Sequence, residues 1–397
     1  MNTNIFSQSV KNLAESETLK MAQLARNLRE QGIEVIDLSL GEPDFDTPED
    51  IKNMAKKALD EGHTKYTPVN GIPLLRQAIV DKLKRDNGIE YNINNIVVSN
   101  GAKQAIANVC LTFLNPGDEV IIFAPYWVSY ISIVKFSNGT PIIVDSTIEN
   151  DFKVIPEELE KAITDKTKLV LFSSPGNPTG SVYTKSELKG LVDVLIKYPD
   201  IYIISDEIYE YISFDYDHVS IASFPEIKDR VILINGMSKG FSMTGWRLGY
   251  MAADIEIAKA CTKIQGQSTS NANSIAQYAS VYALNHGKYP EMSNIFKERR
   301  DIFVKLMKEI PNIKVNIPQA AFFLLPDFSY YFGKTNGKIT IKDDVHLSEL
   351  FLSEIHIATV SGSAFGSKEC VRFSYATSIE QLTQAVVKIK NWLMEFH

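Results

Sequence analysis

Asn235-Gly236-Met237-Ser238-Lys239-Gly240 continues through Phe241-Ser242-Met243-Thr244-Gly245-Trp246-Arg247-Leu248-Gly249-Tyr250, and the rest of the chain is organised around this segment. The apolar, β-branched run Val231-Ile232-Leu233-Ile234 leads into it, and a second apolar run, Leu248 to Ala253, leads out. This spacing predicts a buried strand, a loop and a second strand. Lys239 sits in that loop among small residues, which allow another group to approach the backbone closely. A lysine at such a place loses its charge through desolvation and becomes an amine nucleophile, the form that makes a Schiff base. Taken alone, Lys239 reads first as one of the many surface cations, since lysines and arginines together number 41.

Outward from this loop the pattern repeats. Ile96-Val97-Val98-Ser99 precedes a helix over about 102–114, and Glu119 to Phe123 forms the next strand. Lys168 to Ser173 and Ile201 to Ser205 are strands separated by a helix over about 184–197. Short, nearly all-apolar strands joined by helices predict an α/β domain with a largely parallel sheet covered on both faces. Ahead of it lie an amphipathic helix over about 16–30 and a strand over Val35–Leu40, closed by the proline-bearing loop Gly41–Pro48. Pro48 and Gly62 bracket a further helix. Beyond about residue 285 the chain mixes helices (292–310, 345–352, 379–394) with short strands. The expected organisation is a large domain over 46–285 and a smaller α+β domain built from 1–45 and 286–397.

Length permits this two-domain plan. A formal net charge of −7 with interspersed signs offers no nucleic-acid or membrane patch. The three cysteines, Cys110, Cys261 and Cys370, lack the spacing of a zinc site or a disulfide framework and fit a reducing compartment. No apolar run is long enough to cross a bilayer, and residues 1–12 carry no signal core, so a soluble, cytoplasmic protein is expected.

Ligand sites of parallel sheets lie at the carboxyl ends of the strands. Four polar segments fall there: Asn100-Gly101-Ala102-Lys103-Gln104, Ser174-Pro175-Gly176-Asn177-Pro178-Thr179-Gly180, Asp206-Glu207-Ile208-Tyr209, and the Lys239 loop. Singly, each has a plain alternative. Asp206 reads also as a helix N-cap, Asn177 as a turn initiator, Gly101 as a cap, Arg247 as a surface arginine and Trp127 as a core aromatic. A helix start at Gly101–Ala102 would equally seat an anion.

Together these segments resemble the class I aminotransferases, enzymes of fold type I that use pyridoxal 5′-phosphate (PLP). The resemblance extends to Gly41-Glu42-Pro43-Asp44-Phe45, Ala124-Pro125-Tyr126-Trp127-Val128-Ser129-Tyr130 and Arg372-Phe373-Ser374-Tyr375-Ala376, and covers essentially the whole chain. It implies that Lys239 holds PLP as a Schiff base and shuttles a proton, with Asp206 against the pyridine nitrogen. It gives Asn177 and Tyr209 to the ring's phenolic oxygen, and Trp127 to its face. Gly101, Ala102, Lys103 and Arg247 fall to the phosphate, and Tyr66 to the phosphate of a neighbouring subunit, implying a homodimer with shared sites. Arg372 clamps the substrate α-carboxylate, a bidentate task, with Gly41 on the substrate's other side and Asn177 and Trp127 also touching it.

Two departures stand out. Gly236 occupies the place, three residues before the lysine, where many relatives carry a phosphate-binding hydroxyl. The segment Leu13-Ala14-Glu15-Ser16-Glu17-Thr18 lacks the basic residue found there in relatives, although Lys11 lies nearby. The motifs look most like the bacterial aspartate aminotransferase branch, implying L-aspartate plus 2-oxoglutarate giving oxaloacetate plus L-glutamate by a ping-pong route. An aromatic or prephenate aminotransferase, or another fold type I PLP enzyme such as a β-eliminating lyase, is the alternative. Dehydrogenases, P-loop enzymes and zinc hydrolases are excluded by the absence of G-x-G-x-x-G, G-x-x-x-x-G-K-S/T and H-E-x-x-H. A PLP-binding transcription regulator would need a basic DNA-binding segment, for which the residues ahead of Gly41 are too few.

Overall fold

The computed structural model of the protein describes residues 5, 7–11, 13 and 17–397. The first strand, β1 (Ile36–Asp37), is short; the seven that follow build one sheet. These are β2 (Ile96–Ser99), β3 (Glu119–Phe123), β4 (Thr140–Val144), β5 (Thr167–Ser173), β6 (Tyr202–Asp206), β7 (Val231–Gly236) and β8 (Gly249–Ala252). Their order across the sheet is β2-β8-β7-β6-β5-β3-β4. All pairs are parallel except those of β8, which runs antiparallel to both β7 and β2. The loop from β7 to β8 holds only the 3₁₀ turn Thr244–Trp246 and no crossover helix, so the chain has to reverse.

Both faces of the sheet are apolar, with side chains alternating strictly between them. Ile122, Leu169, Leu171, Ile204, Ile232 and Ile234 point to one side, where the helices Ala102–Phe113, Ser129–Phe136 and Ile255–Ser268 cover them. Ile121, Phe123, Val170, Phe172, Ile203 and Leu233 point to the other, against Pro73–Asn87, Lys185–Leu195 and Ser274–His286. The fold is therefore α/β with a mostly parallel, doubly covered sheet, as the strand composition predicts. Pro141 is tolerated in β4 because β4 is an edge strand.

A second apolar cluster surrounds the later strands β9 (Phe323–Leu324), β10 (Ile357–Ala358), β11 (Val360–Ser361) and β12 (Val371–Ser374). β11, β12 and β9 form an antiparallel sheet, while β10 pairs in parallel with β1, tying the start of the chain to its end. Phe303, Phe351, Phe373 and Trp392 lock the helices Pro290–Met307, Asp344–Ile355 and Ile379–Leu393 onto them. Among the described residues, no helix is long and apolar enough to cross a membrane.

The strand expected over Val35–Leu40 contracts to two residues. Leu38 N still donates to Ala358 O at 2.9 Å, but the chain then leaves the ladder, because Ser39 O accepts from Arg372 and Leu40 to Glu42 are used as a cavity wall. The helix expected over 16–30 is observed as Glu17–Glu30, Ser16 lying outside the described residues.

Leu171 is fully buried at the centre of the sheet. Leu171→Ala leaves a cavity that its neighbours Ile122 on β3 and Ile204 on β6 cannot close, and is expected to cost about 2–5 kcal/mol in urea unfolding. A loss below about 1 kcal/mol would show that the sheet is less tightly packed than described.

Candidate active site

The carboxyl ends of β5, β6 and β7 open into a cavity of about 410 Å³, closed on the opposite side by Leu40–Glu42 and by Arg372 from β12. Parallel strands deliver their following residues to one edge, which is why segments far apart in sequence meet here.

Lys239 follows β7 and is half-buried at the cavity floor. Its Nζ donates to Gly41 O at 2.5 Å. Burial pulls its pKa down to about 8; Arg247 and Arg372 push the same way, while Glu42 and Asp206 oppose. Asp206 ends β6 and is buried, with Tyr130 Oη donating to its Oδ2 at 2.7 Å and Ile208 N to Oδ1 at 3.3 Å. Desolvation raises its pKa to about 6 despite those donors. Burial also raises the Tyr209 phenol, against the pull of Arg372.

Arg372 is 1% exposed. Its Nη2 donates to Ser39 O at 2.5 Å and Nη1 to Asn177 Oδ1 at 3.2 Å, while Nε has no partner. The guanidinium lies over Phe323 and Phe365, 4.6 and 4.8 Å from their centroids. Asn177 turns its amide to Tyr209 Oη at 3.5 Å, so one asparagine links the arginine and the phenol.

The helix Ala102–Phe113 begins at the cavity, and Arg247 crosses its start. A Cβ on Gly101 would stand 2.4 Å from Arg247 Nη2, and one on Gly249 would stand 2.3 Å from Ala102 N. Both glycines are needed for that approach. Arg247 itself is exposed, held by Nη1 donating to Thr244 O at 2.7 Å, and has a left-handed φ of 54°. Lys103 Nζ stands over the Trp127 ring at 4.9 Å, its pKa lowered by burial and then by Arg247. A helix N-terminus with an arginine across it is an anion cradle.

The cavity thus gathers Gly41, Ala102, Lys103, Trp127, Asn177, Asp206, Tyr209, Lys239, Arg247 and Arg372 in its wall. Gly101 stands just behind Ala102. Tyr66 is outside the wall and 91% exposed. Gly236 has no room for a side chain, since a Cβ would lie 2.8 Å from Gly249 Cα; the nearby hydroxyl in the wall belongs to Ser238. Of the segment Leu13–Thr18, residues 14–16 lie outside the described residues, and Thr18 reaches the wall. Residue-by-residue reading assigned no task to Tyr130, Glu42 or Ser238. Tyr130 closes an aromatic motif one turn from Trp127, the only sequence signal that pointed to it.

Comparison with known proteins decides the family. Residues 33–389 match the family model of class I and II aminotransferases. The chain belongs to that family, and is an aminotransferase. It is 46% identical to a probable aspartate/prephenate aminotransferase of Rhizobium leguminosarum, over 95% of this chain and 96% of the relative. It is 44% identical to the aspartate/prephenate aminotransferase of Cereibacter sphaeroides, over 97% of each. Among solved structures, the aspartate aminotransferase of Rhizobium meliloti superposes with a TM-score of 0.96 at 38% identity, covering 99% of both chains. That of Thermus thermophilus with maleate gives 0.90 at 37% identity, covering 97% of this chain and 99% of the other.

The electrostatics of Lys239 yield a test on the protein without cofactor. Its amine is protonated below its pKa and neutral above, so acylation of Lys239, read by peptide mass, is expected to rise through about pH 8. Exposed lysines rise near about 10.4. Glu42→Gln removes an anion that favours the ammonium and lowers the midpoint; Arg247→Gln removes a like charge and raises it. Opposite shifts would contradict the assigned field.

Proposed function

We propose that this chain is a PLP-dependent aminotransferase moving the amino group of L-aspartate to 2-oxoglutarate, giving oxaloacetate and L-glutamate by a ping-pong route. Prephenate is a second keto acid of the same class. The observation that carries the reading is that Lys239, its ammonium destabilised by burial, shares one cavity wall with Asp206, Asn177, Tyr209 and Arg372.

The residues present fit the cofactor. Gly101 and Gly249 leave the start of the helix Ala102–Phe113 bare beneath Arg247, a seat for a phosphate. Arg372 keeps a buried Nε–H without a partner, as expected of a guanidinium that awaits a carboxylate. When bound, PLP supplies an electron sink that makes the substrate's Cα–H acidic. Lys239 would hold the cofactor and would take and return the Cα proton, for which an amine of pKa about 8 is suited near neutral pH. Asp206, which accepts from Tyr130, would keep a proton on the cofactor's ring nitrogen, Asn177 and Tyr209, already in contact with each other, would hydrogen-bond its phenolic oxygen, and Trp127 would cover the ring. The backbone of Gly101, Ala102 and Lys103, with Arg247, takes the phosphate. Arg372 takes the α-carboxylate, and Gly41 lines the substrate's other side.

That distribution leaves the Lys103 ammonium for a second carboxylate. Aspartate, 2-oxoglutarate and prephenate all carry one, in keeping with the aspartate/prephenate names of two relatives and the maleate of the Thermus structure. We also read the chain as two domains, 46–285 against 1–45 with 286–397, the cavity lying between them. A cytoplasmic homodimer with shared sites completes the proposal. The almost fully exposed Tyr66 ring supports the dimer, and three buried, unpaired cysteines suit a reducing compartment.

Lys239→Ala is expected to abolish oxaloacetate formation from aspartate and 2-oxoglutarate; normal kcat would refute the assignment. Lys103→Ala should raise KM for aspartate about tenfold or more through a lost charge-assisted hydrogen bond, while sparing alanine. Release of pyruvate or ammonia in place of transfer would move the enzyme to the lyases.

A further inference from the structure

Below the Lys239 loop, on the side away from the cavity, lies a buried polar cluster that the reaction does not use. Lys82, on the helix Pro73–Asn87, is 2% exposed, Glu210 5% and Asn235 6%. Lys82 Nζ donates to Glu210 Oε1 and Oε2 at 2.5 and 2.6 Å and to Asn87 Oδ1 at 2.8 Å. Asn235 Nδ2 donates to Glu210 Oε2 at 2.7 Å, and Asn235 Oδ1 accepts from Gly236 N at 2.7 Å. Glu207, Glu210 and His218 bring ligand-type atoms within 4.8 Å of one another, but Lys82 already supplies the cation there.

We propose that Lys82, Glu210 and Asn235 form a positioning device that sets the place of Lys239 against Asp206 and Tyr209. The inference rests on Lys239 being the cofactor-bearing residue.

The geometry of β6 and β7 creates the need. Their ladder ends at Asp206 opposite Ile234, with Glu207 N donating to Ile234 O as its last bond. Past that point the two chains diverge, one delivering Asp206 and Tyr209, the other Lys239. The side-chain bond from Asn235 to Glu210 continues the connection where the backbone no longer can. Glu210 follows Tyr209 directly, and Asn235 stands four residues before Lys239.

The far end of the loop is held from the same helix. Gly240, immediately after Lys239, lies so close to Tyr211 that a Cβ on it would stand 2.7 Å from Tyr211 Cβ. Tyr211 Oη donates to Asp86 Oδ2 at 2.5 Å, and Lys82 Nζ lies 5.4 Å from the Tyr211 ring centre. Only about 10 Å³ of void remains where Lys82, Glu210, Tyr211, Asn235, Gly240 and Phe241 meet. The helix Pro73–Asn87 therefore buttresses Lys239 on both sides without touching the cavity. A buried ion pair is a poor source of stability, since apolar replacements of both partners are often neutral, and its retention here serves geometry.

Two double variants separate position from charge. Lys82→Met with Glu210→Leu removes both charges together and leaves Asn235 without its acceptor. Lys82→Gln with Glu210→Gln removes the charges but keeps an acceptor for Asn235. With the PLP-loaded enzyme, the first is expected to lose about tenfold or more in kcat for aspartate with KM nearly unchanged, the signature of misplaced reacting groups. In the protein without cofactor, its Lys239 acylation midpoint should leave about pH 8. The Gln pair should stay within about threefold of wild-type kcat and hold the midpoint, rescue by geometry alone. A folded Met/Leu protein with unchanged kcat and midpoint would overturn the inference, as would an equal loss in the Gln pair. If the Met/Leu protein does not fold, Asn235→Ala, which removes the contact to Glu210 together with the one from Gly236 N, faces the same two outcomes. An active Lys239→Ala enzyme would sink the underlying reading instead.

Discussion

Two cations, Lys239 and Arg372, share one cavity, and among the described residues neither has a carboxylate within ion-pair distance. Burying a charge without a partner is costly, and each shows it: Lys239 is pulled down to about 8 and Arg372 to about 10. The remaining architecture makes that arrangement tolerable. The Arg372 guanidinium lies over the rings of Phe323 and Phe365, whose faces soften the loss of water, and its Nη atoms each donate one bond, to Ser39 O and Asn177 Oδ1. Lys239 rests on a backbone carbonyl. What these groups lack is an anion.

The two cations come from different sheets. Lys239 leaves the central one at the end of β7, and Arg372 projects from β12 among the aromatic residues that surround the antiparallel one. Neither sheet forms the site alone. The chain's first strand pairs with β10 and Ser39 O accepts from Arg372, so the Leu40–Glu42 wall is fixed to the same body as Arg372. On the other side, apolar packing of helices on both faces of the central sheet holds the strand ends in register. Preorganised polar groups at such an edge act on charge as it develops, without having to rearrange.

Much of this was legible in the sequence, and the limits have physical causes. Lys239, Asp206 and Asn177 sit immediately after apolar strands, so strand periodicity alone places them at one edge. Arg372 was legible only through family resemblance, because an arginine in a strand of a small sheet reads as an outward-facing polar residue. The strand expected over Val35–Leu40 was overlong, since composition does not reveal that Leu40–Glu42 is diverted to line a cavity. Gly236 looked like a lost phosphate ligand; the structure shows instead a position with no space for any side chain, squeezed against Gly249. Lys82 and Glu210 are 128 positions apart, and a lysine in a helix with Lys84 and Arg85 nearby reads as surface. Long-range partners of that kind leave no local signal.

The central claim, that Lys239 is the amine that carries the cofactor, is tested most directly by borohydride reduction of the PLP-loaded protein followed by peptide mass mapping. The account predicts a single phosphopyridoxyl adduct, on Lys239. An adduct on Lys103 or another lysine, or no stable adduct at saturating PLP, would contradict it.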